Sequence, residues 1–318
     1  MNSSRRDLVA QLLLSTALAA MPRVAAAASG AAPSSIDDKL APYAYEDTRR
    51  LIRLVEDAAA LIEKKGAAAY RDFAVKGSRW FRDNHYLFAY TLDSTCVFHA
   101  QQPALMGRNL ASLTDMNGKP VIRYITDIGR QPQPDASGWV FYLWEESTQL
   151  IPAWKGSYIR KAAMPDGTIV TIGSGLYDLK VEKIFVENAV DRAAALIAAE
   201  GPAKAFRAFQ DRASPFVFLD VYVFAMDDKA HTLVDPAYPT FAGRDLSSFE
   251  DAVGVHVIDE ALQKLATADS AWTQYLWPLP GNGALSRKLM YVRKVEADGQ
   301  IIIVGSDFFL ATPIWMKV

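Results

Sequence analysis

The chain has 318 residues, 51% hydrophobic, 22% charged and 11% aromatic, with a formal net charge of −2. That balance excludes a disordered or fibrous chain and sets the protein apart from nucleic-acid binders, which carry a basic domain or stripe. A single cysteine, Cys96, excludes an internal disulfide framework and a cysteine-cluster zinc site, and the four histidines, at 85, 99, 231 and 256, lack metal-ligand spacing.

Residues 1–28 read as an export signal. Arg5 and Arg6 come first, an apolar stretch from Leu8 to Ala20 follows, and small residues crowd Val24 to Ser29. The apolar run is short for a membrane span. Ser4-Arg5-Arg6-Asp7-Leu8-Val9 resembles the twin-arginine motif; a general secretory signal holding two arginines is the alternative. Cleavage after Ala28 removes three arginines and one aspartate, so the expected mature protein is periplasmic with net charge −4. An uncleaved segment acting as an anchor is the other outcome.

The remaining chain is one unit written twice. Val55-Glu56-Asp57-Ala-Ala-Ala-Leu61-Ile62 with Gly66 recurs as Val190-Asp191-Arg192-Ala-Ala-Ala-Leu196-Ile197 with Gly201. Gly107-Arg108-Asn109-Leu110 recurs as Gly243-Arg244-Asp245-Leu246, and Tyr142-Leu143-Trp144 as Tyr275-Leu276-Trp277. Lys155-x-x-Tyr158-x-Arg160-Lys161 recurs as Lys288-x-x-Tyr291-x-Arg293-Lys294, and Asp166-Gly167 through Gly173-Ser174 as Asp298-Gly299 through Gly305-Ser306. Ordered matches at a nearly constant offset define a tandem duplication.

Each unit opens with a predicted amphipathic helix, apolar at Leu51, Leu54, Val55, Ala58, Leu61 and Ile62 in the first, and stopped by Gly66 or Gly201. Strands are expected at His85–Leu92 and Thr95–His99 about a turn at Asp93-Ser94. A polar loop or short helix follows over Gly107–Gly118, then strands at Trp139–Trp144, Ser157–Ala163 and Thr168–Gly173. Hairpin-length connections favour an antiparallel sheet, half-covered by the helix, in an α+β fold.

Each unit resembles the Cache domain, the extracellular sensor module of bacterial receptors, in its single-Cache type 2 form. The resemblance is carried by the long helix ending near glycine, Val97-Phe98-His99-Ala100, Gly107-Arg108-Asn109-Leu110, Asp115-Met116-Asn117-Gly118-Lys119, Tyr142-x-Trp144, Lys155-x-x-Tyr158-x-Arg160 and Gly173-Ser174-Gly175-Leu176-Tyr177. It covers about residues 36–318, with domains expected at 36–178 and 179–318, the first closer to the pattern. In the second, Val234-Asp235-Pro236 stands where His99-Ala100 stood, and Gly305-Ser306-Asp307 replaces Gly-Ser-Gly. The resemblance implies two tandem PAS-like five-stranded sheets and binding of a small molecule, commonly an organic acid or amino acid. It does not imply catalysis or a cofactor.

A pocket for a small carboxylate needs a desolvated cation and rigid walls. Tyr142 and Trp144 alternate along one strand and share a face, as do Tyr158 and Arg160 along the next. A single face carrying all four, with Lys155 at its rim, is the expected anion pocket; the second unit offers Tyr275, Trp277, Lys288, Tyr291 and Arg293. His99 stands at a strand end, able to touch ligand or to fix its loop, and Tyr90 divides between core and pocket. The competing reading is that both copies keep this set because the fold needs it.

No nucleophile elbow or phosphate-binding loop is present. Cys96 reads as a buried small hydrophobe, Asp37-Asp38 and Asp227-Asp228 as turn or cap residues, and Glu145-Glu146 as a loop rim. The expected function is ligand sensing through a separate membrane receptor or transporter, because the sequence holds no kinase, methyl-accepting or cyclase segment. An assembly factor using the fold for protein contact, or an enzyme using the same pocket, are the alternatives.

Overall fold

The structure, a computed structural model, describes residues 35–82, 85–146, 151–279 and 283–310. The expected export signal at 1–28 lies outside the described residues. The chain forms two alike units. In the first, a long helix, α1 (Glu46–Lys65), precedes five strands: β1 (Phe88–Thr91), β2 (Cys96–His99), β3 (Ser137–Trp144), β4 (Ala153–Ala163) and β5 (Ile169–Tyr177). A nine-residue helix, α2 (Val121–Gly129), lies in the connection from β2 to β3. The second unit repeats this with α3 (Lys183–Glu200), β6 (Phe224–Asp227), β7 (Thr232–Val234), α4 (Val257–Leu265), β8 (Ser270–Pro278), β9 (Leu285–Ala297) and β10 (Gln300–Phe309). Both sheets are antiparallel, ordered β2-β1-β5-β4-β3 and β7-β6-β10-β9-β8.

Local chemistry sets these boundaries. Helix α1 starts with Glu46 and Asp47 in its first turn and ends with Lys64 and Lys65, matching the helix dipole at both ends. Gly66 at φ 59° and Gly201 at φ 81° terminate α1 and α3 in a backbone region closed to most side chains. The expected hairpin turn is present, with Ser94 at φ 73°. Strand β1 is shorter than expected, because His85-Tyr86 pairs instead with Phe81-Arg82 in a separate two-stranded ribbon. Asp37-Asp38 stands at a helix start, where Ser35 and Asp38 exchange a capping box.

Each sheet is covered on both faces, not on one. The long helices pack on the first face, where α1 buries Leu51, Ile52, Val55 and Ile62 against β4 and β5 residues such as Tyr158, Ala162 and Ile172. Each such aliphatic side chain contributes about 1.5–3 kcal/mol. Helices α2 and α4 close the second face, with Val121, Ile122 and Ile125 against Val140 and Ile159 in the first unit. The sequence reading gave this connection only a polar loop or short helix over Gly107–Gly118. Asp115 anchors it, accepting from the amides of Asn117 and Lys119 with one oxygen and from Leu143 of β3 with the other. Asp251 does the same to Val253, Val255 and Leu276.

The helix-side core runs through both units, with Phe141 stacked on Phe218 at 4.3 Å. Lys119, buried, donates to the Val217 carbonyl at 2.9 Å. Glu182, 1% exposed, accepts from the amides of Ala44 at 2.7 Å and Tyr45 at 3.0 Å. Tyr45 is the N-cap of α1 and Glu182 the N-cap of α3, so one carboxylate joins the two helix starts. Replacing Glu182 with Ala removes both acceptors and is expected to cost about 2 kcal/mol in urea unfolding, with Glu182→Gln costing less. A loss below about 0.5 kcal/mol in the alanine variant contradicts this role.

Candidate functional site

The alternation of β4 and β9 decides which sequence candidates meet. Tyr142 pairs with Lys155 across β3 and β4, and Tyr275 with Lys288 across β8 and β9. Those four therefore point to the connection side of their sheets. Tyr158 and Arg160 differ from Lys155 by three and five residues and fall on the opposite face. There Tyr158 donates to Glu56 of α1 at 2.8 Å, while Arg160 meets Glu56 at 3.3 Å and Glu63 at 3.4 Å. Tyr291 and Arg293 likewise turn to Asp191 of α3, the arginine at 2.9 Å. The expected single face of Tyr142, Trp144, Tyr158 and Arg160 is thus corrected. Tyr-x-Arg and the Glu56 or Asp191 facing it form a sheet-to-helix clamp, which explains why both copies keep it.

On the connection side of the first unit, Lys155 is 1% exposed. Its ammonium donates to the Tyr86 hydroxyl at 2.7 Å, and lies 4.0 Å from that ring and 4.9 Å from the Tyr177 ring. Burial draws its pKa down to about 7, opposed by the charge of Glu146. Tyr142 exchanges a hydrogen bond with Ser157 at 2.9 Å and sets its ring edge-on to Trp144. Tyr90 is buried beside Phe88. His99 is 2% exposed, and its Nδ1 accepts from the Gln102 amide at 3.0 Å, so it fixes the following loop.

The second unit holds a half-open cavity of about 70 Å3 between β6–β10 and the connection. That is several times the roughly 10–15 Å3 one water needs. Of the expected site residues of this unit, Tyr275, Trp277 and Lys288 line it; Tyr291 and Arg293 do not. The lining adds residues that reasoning did not single out as site residues: Tyr222, Asp235, Tyr238, Phe241, Phe249 and Asp307. Lys288 and Asp307, each side chain 6% exposed, form an ion pair at 2.6 Å, and the Tyr275 hydroxyl donates to the other Asp307 oxygen. Burial, then the neighbouring Asp307 and Asp235, raise the Tyr222 phenol above its usual range. Burial also raises Asp235, whose Oδ1 accepts from the amides of Ala237 and Tyr238, both at 2.9 Å. Among the described residues no group of three or more His, Cys, Asp or Glu is placed to hold a metal ion, and no helix is long and apolar enough to cross a membrane. Cys96 is buried, and burial pushes its thiol up to about 11.

The family model described as Single Cache domain 2 matches residues 179–309, and the model described as Cache domain matches residues 58–196. The chain belongs to the Cache family. It is built of tandem Cache domains, with the PAS-like antiparallel sheets of such sensor modules. The single-Cache match falls on the second unit, although the motif set placed the first nearer that pattern. Among solved structures, the chain is similar to a periplasmic sensor domain of a chemotaxis protein, 26% identical over 43% of this chain and 100% of that one, TM-score 0.35. It is also similar to a Cache chemosensory domain studied for carboxylic acid recognition, 21% identical over 39% and 85%, TM-score 0.32. A third is the ligand-binding domain of the Pseudomonas fluorescens chemoreceptor CtaA in complex with L-serine, 11% identical over 83% and 88%, TM-score 0.30.

Burial, then the charge of Lys155, depress His99 from 6.5 to about 4. Between those values the unfolded chain takes up a proton that the folded chain refuses, so stability is full above pH 6.5 and falls as the pH drops toward 4, by up to about 3 kcal/mol. His99→Gln is expected to flatten that part of the stability profile; an unchanged profile contradicts the depressed value. For the clamps, Arg160 is 10% exposed and Arg293 39% exposed in their side chains. Arg160→Ala is expected to cost about 2 kcal/mol and Arg293→Ala less than about 1 kcal/mol in chemical denaturation. Equal losses contradict the difference in burial.

Proposed function

We propose that the protein is a small-molecule sensor that takes its ligand in the cavity of the second Cache domain. The observation that carries this reading is the cavity itself, walled by aromatic and aliphatic side chains with Lys288, Asp307 and Asp235 in its lining. Apolar walls with a few placed polar groups are the usual make-up of a ligand site. Domains at 36–178 and 179–318 are part of this reading. So are export to the periplasm, from the order of basic, apolar and small residues in 1–28, and signalling through a separate membrane receptor or transporter. Of the two ligand classes considered, organic acids and amino acids, the lining favours one that carries an ammonium group. Ligand binding without catalysis accords with the Cache family.

The reading is tested by thermal shift of the purified protein against amino acids, amines and organic acids. A ligand that binds only the folded state adds about 2.7 kcal/mol at one hundred times its Kd. Leu246→Trp, which fills the cavity from its lining, is expected to abolish the shift, while Arg160→Ala and Arg293→Ala leave the affinity unchanged. A shift that survives Leu246→Trp moves the ligand elsewhere, and no shift across the panel removes the sensor reading.

A further inference from the structure

The charged groups lining the second-domain cavity are one lysine and two aspartates, Lys288, Asp235 and Asp307. Lys288 is already neutralised by Asp307, which also accepts from Tyr275. That leaves Asp235 in surplus and the cavity at a formal −1. One Asp235 oxygen holds two backbone amides; the other accepts no hydrogen bond among the described residues. Thr232, also in the lining and 4% exposed, has a buried hydroxyl oxygen with no partner among the described residues. An unpartnered buried hydroxyl is destabilising unless something else meets it. The rings of Tyr222, Tyr238, Phe241 and Trp277 share the lining, Tyr222 facing Lys288 at 5.8 Å and Phe241 facing Arg244 at 5.9 Å. Ring faces attract cations, and a set of them is a recurrent way to hold an organic ammonium.

We infer that the second-domain cavity recognises a primary ammonium group on a small apolar body, through Asp235, the Thr232 hydroxyl and the surrounding rings, and rejects the matching carboxylate. A carboxylate entering here meets a lysine already paired and a second carboxylate in surplus, whereas an ammonium supplies donors to the free acceptors. This inference rests on the proposed cavity reading and deepens it, since an amine or an amino acid satisfies it and a simple organic acid does not.

The test is isothermal titration of the full chain with two matched sets: butylamine, 1-butanol and butyrate, and benzylamine, benzyl alcohol and benzoate. The amine of at least one set is expected to bind at least tenfold more tightly than its alcohol and its carboxylate. Asp235→Asn, which keeps an acceptor for the two amides, is expected to weaken that amine at least tenfold, and Thr232→Val to weaken it less. The double variant Asp235→Asn with Asp307→Asn leaves Lys288 as the only formal charge in the lining and is expected to reverse the order, favouring the carboxylate. If in the unaltered protein the carboxylate or alcohol binds as well as the amine, or if Asp235→Asn leaves amine affinity unchanged, the ammonium inference is overturned while the cavity reading stands. If no member of either set binds, and no shift appears in the broader panel either, both fall together.

Discussion

The two-residue period of the central strands β4 and β9 governs the rest of the molecule. Each strand lies between two cores, and its odd and even positions belong to different ones. In β4, Trp154, Tyr158 and Ala162 join the helix-side core, while Ile159 joins the opposite one and Lys155 lies on that same side. In β9, Leu289 and Tyr291 serve the first core, and Met290, Val292 and Lys288 the cavity side. A slip of one residue would drive a buried lysine into the aliphatic face of α1 or α3, and would pull the Tyr-x-Arg clamp away from its acidic partner. Register is therefore fixed by charge placement as well as by hydrophobic pattern.

This alternation also explains how far the sequence was legible. The duplication, the two long helices with their glycine stops, and the α+β class were readable because they rest on local spacing and on exact residue matches. The clamp was visible as a repeat but was placed on the wrong face. Strands β3 and β4 each show which of their own residues share a side, yet their mutual register is set by the chain between them. Nothing local says that Tyr142 opposes Lys155 and not Tyr158. The match of Glu56 with Asp191 was present in the first repeat, and pairing it with Tyr-x-Arg would have needed the helix docked on the sheet. Helices α2 and α4 were missed because they are short and open after Pro120 or His256 without a side-chain cap. Asp115 and Asp251 hold equivalent turns, but their neighbours differ too much for a residue match to find them.

The connection-side face holds both kept and altered positions. Phe88 opposes Gly173 and Phe224 opposes Gly305, and a Cβ at either glycine would stand 2.4–2.8 Å from the ring. Those glycines are needed by the fold in both copies. Gly175 is a different case. Its counterpart in the second domain is Asp307, since Ser157 opposes Gly175 as Met290 opposes Asp307. A Cβ at Gly175 would come within 2.3 Å of the Ser157 hydroxyl and 2.7 Å of the Lys155 chain. The first domain, as packed, has no room for an acid there, and its lysine turns to tyrosine rings instead.

The second departure lies at the end of the second strand, where Asp235 occupies the position of His99. His99 is kept neutral by burial and by Lys155. The connection side of the first domain thus presents a buried lysine beside an uncharged ring, and that of the second presents a paired lysine and a surplus carboxylate. Both departures were visible in the sequence as breaks in the repeat, at Val234-Asp235-Pro236 and Gly305-Ser306-Asp307. Their meaning was not, because it depends on the two acids, 72 positions apart, arriving at one lysine. Both copies keep the helix-to-sheet clamps and, on the opposite face, the Tyr-x-Trp and lysine positions, while the two acids that differ, Asp235 and Asp307, stand beside that lysine in the second copy alone.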